Sequence, residues 1–341
     1  MEKDHISEVG TVCMEKMEVA FLPFEYTGDQ KTTDDKIAEI LEMAGDMACG
    51  DPFILIDWGK RSMDGYAAEA CCPVSGNIGK MSREFAGGDA YVLVYRGDYD
   101  GLDKGYQKIF KFAYDRGVQP GMEFLEIHRG SNGGEREIEL IMMIHPWTQL
   151  MMDSLMDVLG EEDSKELVEE LVDIGPLTEI DDRYSTIQWL IEDLEGLTDE
   201  DQRYEIMSRC ADRFSEERID EMREVYERKN DVDDVLEFMR KEQDWYSEPW
   251  REGNEIHIIK VPYRRKGYEN ANTPDEKRKF YCHCPLVRDR LNDGMPSTYC
   301  LCGTGWFRQQ WEGILGRSIK VRLARSLLKG DDCCEFVIEL Q

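Results

Sequence analysis

The strongest constraint on this chain is that part of it occurs twice. Phe53-Ile-Leu-Ile-Asp-Trp-Gly59 lines up without gaps on Phe124-Leu-Glu-Ile-His-Arg-Gly130, and the preceding helices align as Met43-Ala44 on Phe112-Ala113 once a two-residue loop insertion is allowed. Each copy reads as strand, helix, loop with Gly or Pro, strand, strand. The apolar strand runs lie at 17–23, 53–56, 91–95, 124–127 and 138–145, and helical spacing covers 36–47 and 105–116. Ile37, Ile40, Leu41, Ala44 and Met47 fall on one helical stripe; Ile109, Phe112 and Ala113 fall on another. The last strands of the two copies run into Cys72-Pro73-Val74 and His145-Pro146-Trp147. One copy cannot bury a sheet face alone. The pair therefore predicts an α+β domain over residues 15–147, a pseudo-twofold duplication with a central groove of the kind that commonly holds ligands.

Charge marks off the rest. The 341 residues carry a net −30, of which −20 falls within residues 151–240, whereas residues 256–341 carry +5. The expectation is an acidic helical segment over 148–240, then a smaller cysteine-rich α+β domain over 255–341. Thr198-Asp-Glu-Asp201 and Asn230-Asp231 read as helix starts in the acidic segment, which is a connecting bundle or a surface for a protein partner. So acidic a chain repels phosphate backbones, which argues against a nucleic-acid partner. Tyr263-Arg-Arg-Lys266 and Lys277-Arg-Lys279 are basic, but a counterweight to the acidic segment is their commoner role. No apolar run reaches the roughly 18–20 residues that span a bilayer. The polar N-terminus does not resemble a secretory signal, so a cytoplasmic protein without membrane contact is expected. Its 11 cysteines then read as thiols or metal ligands before disulfides.

Strand alternation puts Phe124, Glu126 and His128 on one face, Leu125 and Ile127 on the other. The matching position in the first copy is Leu55, so only one copy carries the carboxylate. If the apolar pair packs on the helices, Glu126 faces the groove, where desolvation suits it to a ligand cation or to general acid–base work. Tyr91 and Tyr95 share a face and, with Phe53, Phe124 and Trp58, are candidates for an aromatic cage. His128 reads as a hydrogen-bonded groove residue rather than a catalyst.

Gly97-Asp-Tyr99-Asp-Gly-Leu102, the helix after it, Gly121-Met-Glu-Phe-Leu-Glu126-Ile-His128 and the strand into His145-Pro146 resemble the GyrI-like, or bacterial effector-binding, domain. Asp98 and His128 depart from that family's usual Pro and Tyr. The resemblance implies a groove that binds aromatic or cationic compounds, multidrug fashion, against a buried carboxylate, here Glu126, for sensing or sequestration. Phe53, Leu55, Trp58, Tyr91, Tyr95, Phe124 and His128 would line it. It also implies an alternative, a hydrolase of the cyclopropanoid-genotoxin type with Glu126 as general acid/base and Tyr95 or Tyr99 as its partner. The family's regulators usually place a DNA-binding helix-turn-helix ahead of this module; here it begins close to residue 1, so a conventional transcription activator is not expected.

Tyr281-Cys282-His283-Cys284-Pro285, Tyr299-Cys300-Leu301-Cys302-Gly303 and Asp332-Cys333-Cys334-Glu335 form the second chemical pattern. If the Cys-x-Cys pairs are strands, each points two thiols to one side, and Cys282, Cys284, Cys300 and Cys302 could surround zinc, with an iron–sulfur cluster as competitor. Buried, reduced thiols are the alternative, as expected for Cys49, Cys71, Cys72 and Cys210. The region from Glu255 to Leu340 weakly resembles vinyl-reductase-type sensor domains. That resemblance implies zinc ligation by Cys302 or Cys300 and by Cys334, with Ser326 standing where a further cysteine would be.

Overall fold

The computed structural model describes residues 5–61, 65–132, 135–241 and 249–340, and the chain divides into two units, Met1–Pro146 and Trp147–Gln341. In the first, β1 (His5–Ile6) and β2 (Gly10–Met14) precede β3 (Met17–Tyr26), α1 (Gln30–Ala44), β4 (Phe53–Arg61), β5 (Tyr66–Pro73) and β6 (Ser82–Phe85). The same order then repeats as β7 (Gly88–Gly97), α2 (Asp103–Asp115), β8 (Pro120–Asn132) and β9 (Glu135–Ile144). They form one nine-stranded antiparallel sheet, ordered β1-β7-β9-β8-β4-β5-β3-β6 with β2 also on β7. The copies meet at β4 and β8, so β5 mirrors β9 and β3 mirrors β7. This is the pseudo-twofold duplication that the repeat predicts.

Alternation sorts each strand between two cores. Ile54, Ile56, Tyr91, Leu93, Phe124, Leu140 and Met142 pack with Ile40 and Ala44 of α1 and with Ile109 and Ala113 of α2. On the opposite side Phe53, Leu55, Leu125, Val19, Cys71 and Phe85 form a second cluster, with Ile127 against it. The helices therefore cover the face carrying Phe124, not the face of Leu125 and Ile127. This overturns the condition on which the sequence placed Glu126 away from the helices. It also corrects the gap-free alignment of the copies. Phe53 and Leu55 lie on the face opposite Phe124 and Glu126, because β4 and β8 pair as Phe53 with Ile127, Ile54 with Glu126 and Leu55 with Leu125. An offset wrong by one residue flips every side chain to the other face.

The second unit holds α3 (Trp147–Leu159), α4 (Glu161–Val172), α5 (Ile180–Leu197), α6 (Glu200–Ser208), α7 (Glu216–Lys229), α8 (Val232–Met239), β10 (Trp250–Glu252), β11 (Glu255–Ile259), α9 (Arg265–Asn270), α10 (Pro274–Tyr281), α11 (Cys302–Leu315), β12 (Lys320–Arg325) and β13 (Glu335–Glu339). Its strands form a four-stranded antiparallel sheet ordered β10-β11-β13-β12. Asp199 caps α6 in a reciprocal capping box with Gln202, and Asp231 caps α8. The apolar faces of the acidic helices are buried together with the cysteine-rich part. Leu155, Leu167, Leu190 and Met207 share a core with Tyr281, Leu286 and Leu327. Met222, Val235 and Leu236 share another with Trp311, Val321 and Phe336. At Gly305 of α11 an added Cβ would lie 1.7 Å from the Ser208 carbonyl oxygen, so a side chain is excluded there by the end of α6. Among the described residues no helix is long and apolar enough to cross a membrane.

Candidate functional site

Glu126 stands in the middle of β8 with no solvent exposure, among apolar residues of the helix-covered core. Burying a carboxylate is costly unless its oxygens are fully engaged. Three phenols and an imidazole engage them. Tyr26 donates to Oε1 at 2.6 Å and Tyr106 to the same oxygen at 2.5 Å. Tyr99 donates to Oε2 at 2.9 Å, and His128 Nε2 lies 3.1 Å from that atom. Four contacts match the roughly four acceptor positions of an ionised carboxylate.

The duplication builds this ring. Tyr26 ends β3 four residues before the first residue of α1, and Tyr99 lies four residues before the first residue of α2. Tyr26-Thr-Gly28-Asp29 and Tyr99-Asp-Gly101-Leu102 are thus equivalent turns, whose hydroxyls meet at 3.0 Å over the carboxylate. Thr33, buried in the first turn of α1, lies 3.4 Å from the Tyr99 hydroxyl. Tyr106 comes from α2, which can approach the sheet because its neighbour is Gly105; a Cβ there would lie 2.6 Å from Leu140. Burial, reinforced by the Glu126 charge, pushes Tyr26, Tyr99 and Tyr106 above the ordinary phenol range. They therefore remain donors at neutral pH.

An aromatic wall continues from the ring. Trp58 stacks on Tyr66 at 5.1 Å and packs on Phe124 at 4.9 Å, on Phe110 at 5.3 Å and on Tyr106 at 5.6 Å. Tyr99 lies nearly parallel to the His128 ring at 6.0 Å. Two buried ring nitrogens here, Trp58 Nε1 and His128 Nδ1, have no hydrogen-bond partner. Arg136 of β9 clasps Asp34 of α1 through two contacts of 2.7 and 2.6 Å, tying the second copy to the helix of the first.

Of the residues singled out in the sequence, Glu126, Tyr99 and His128 are in contact, and Phe124 and Trp58 form the adjoining wall. Tyr91 and Tyr95 share the helix-covered core, but Tyr91 packs edge-on against Phe112 of α2. Tyr95 donates to the Asp98 carbonyl at 2.6 Å, so it braces the turn that carries Tyr99. Phe53 and Leu55 face away, with Phe53 edge-on to Phe85 at 5.8 Å. Sequence reasoning missed Tyr26, Tyr66, Tyr106 and Phe110. The Tyr-x-Gly turn shared by the copies would have found Tyr26, and the Ile109 stripe would have placed Tyr106 toward the sheet.

The cysteine motifs differ in geometry from their expectation. None of the four Cys-x-Cys thiols lies in a strand: Cys282 caps the C-terminal end of α10, Cys284 lies in the following loop, Cys300 is in the 3-10 turn Ser297–Leu301, and Cys302 opens α11. The same-side argument from strand alternation therefore does not apply. Cys282, Cys284, Cys302 and Cys334 nevertheless meet around one core, and all are free thiols. Burial first, then neighbouring cysteines, raises Cys282 and Cys300 well above the ordinary thiol range; burial likewise raises Cys302 and Cys334. Among the described residues no group of three or more His, Cys, Asp or Glu is arranged to hold a metal ion.

No family model and no curated protein sequence matches the chain. Solved structures that resemble it include the C-terminal domain of EcmrR (14% identity, 40% of this chain and 96% of that one, TM-score 0.35). Others are a hydrolase from Listeria innocua (10% identity, 40% and 91%, TM-score 0.30) and an integron cassette protein from the mobile metagenome of Vibrio cholerae (9% identity, 42% and 99%, TM-score 0.29). These likenesses are too distant to lend this chain a function.

Proposed function

We propose that the first unit binds a small planar aromatic molecule, preferably a cation, against Glu126, and so senses or sequesters it. The carrying observation is a fully buried carboxylate enclosed by phenols and flanked by an aromatic wall. The phenols satisfy Glu126 by hydrogen bonding but leave its charge without a buried Lys or Arg beside it among the contacts described. A flat cation entering beside Trp58 and Phe124 would gain both ring stacking and that charge. Because the carboxylate oxygens are already engaged, such a ligand takes the place of one phenolic donor.

Use of Glu126 as a general base is the second reading, favoured by the two phenolic hydroxyls of Tyr26 and Tyr106 on Oε1. It requires one of these donors to leave before the carboxylate can take a proton, and binding does not require proton transfer at all. Binding is therefore the better supported reading. The test is calorimetric titration of the protein with thionin, a planar phenothiazinium cation. Glu126→Gln keeps a side-chain oxygen for the phenols and removes the charge, and is expected to weaken binding by about 10–100-fold. Equal affinities for the two proteins would exclude Glu126 as the counter-charge. Turnover of a cyclopropane-bearing alkylator that is lost in the same variant would instead favour the hydrolase.

A further inference from the structure

We infer that His128 is a ligand-reading residue, and that the site selects planar cations carrying an N–H donor over fully N-alkylated ones. The inference rests on the binding site proposed around Glu126 and specifies its ligand class. Its starting point is the two ring nitrogens of His128. Nε2 lies 3.1 Å from Glu126 Oε2. That oxygen belongs to a carboxylate already accepting from three phenols, so Nε2 is the nitrogen that carries the hydrogen and donates. In the neutral ring Nδ1 is then a bare lone pair. The His128 side chain is only 8% exposed, and Nδ1 is buried without a partner.

A buried acceptor left unpaired is a place where a ligand donor gains more than it would at the surface. Glu126 fixes the tautomer and Tyr99 lies along the ring, so the lone pair is held in one direction. The carboxylate supplies attraction for any flat cation, while Nδ1 distinguishes cations by their hydrogens. An aryl amine, an amidinium or an amino-substituted heteroaromatic cation can donate to it. An N,N-dialkylated analogue of the same ring and charge cannot, and brings methyl groups against it. His128 thus acts on selectivity, and Glu126 on affinity for both kinds of cation.

Thionin and methylene blue separate these roles. They share one permanently charged phenothiazinium ring, and the first carries amino groups where the second carries dimethylamino groups. Titrated into the full-length protein, thionin is expected to bind about tenfold more tightly, the value of one good hydrogen bond to a buried acceptor. In His128→Phe that ratio should fall to near one. His128→Gln, which retains an acceptor and a donor, should recover part of the preference and serves as the control should the Phe variant not fold. Equal binding of both dyes to the wild-type protein, or a preference that survives in His128→Phe, overturns the inference while leaving the Glu126 site standing. Failure of both dyes to bind the wild-type protein overturns the site and the inference together.

Discussion

At the scale of single residues, Glu126 is stable in the core only because its partners are. Tyr26→Phe removes one of two donors on Oε1 and leaves the carboxylate under-satisfied with no new volume to fill. We expect a loss of about 1–3 kcal/mol in unfolding free energy, measured by urea denaturation, and a non-additive loss when combined with Tyr99→Phe, since the two hydroxyls donate to the two oxygens of one carboxylate and lie 3.0 Å from each other. Unchanged stability of Tyr26→Phe would mean that the carboxylate does not depend on this phenol. Glu126 itself was legible in the sequence, as a carboxylate between Leu125 and Ile127 that only one of the two copies carries. Of its donors, Tyr99 was named through the family resemblance, but Tyr26 and Tyr106 were not, because they come from β3 and from α2, and only the closed sheet brings these together. His128 was legible as a hydrogen-bonded groove residue, but which of its nitrogens is occupied is a property of the fold.

Elements were read with more success than the register between them. The strand and helix runs of both copies follow from periodicity, since a half-buried strand must alternate and an amphipathic helix must repeat every 3–4 residues. Matching the copies by residue likeness put Phe53 on Phe124, yet the pairing across β4 and β8 is fixed by hydrogen bonding and loop length, to which residue type is nearly blind. The Cys-x-Cys segments failed differently. They carry no apolar period long enough to separate a strand from a turn, and the turn prevails where α10 ends and α11 begins. Packing between elements can be tested at α11. Gly305→Ala must push α11 off the Ser208 carbonyl, and we expect a loss of about 1–3 kcal/mol despite the better helix propensity of alanine. A rise in the urea midpoint would show that α6 and α11 are not in contact as described.

Over the whole molecule, charge and architecture are decoupled. The acidic stretch buries its apolar stripes with the slightly basic cysteine-rich part, so its carboxylates crowd the outside of a shared core. With 72 acidic against 42 basic side chains, self-repulsion outweighs the exposed ion pairs, each of which is worth little. Raising NaCl from 20 to 300 mM should therefore raise the urea midpoint, as screening relieves repulsion. A fall in the midpoint would mean that attractive pairs dominate. The duplicated half has a different asymmetry. Tyr26 and Tyr99 approach the central β4–β8 seam as near-equivalent mates, but the residue directly across from Glu126 is Ile54, which carries no charge. A flat guest lying over that seam meets two matching rims and one charged side. Its two ends are thereby told apart by a single atom group, so an unsymmetrical molecule has one preferred heading in a frame that is otherwise nearly its own mirror under rotation.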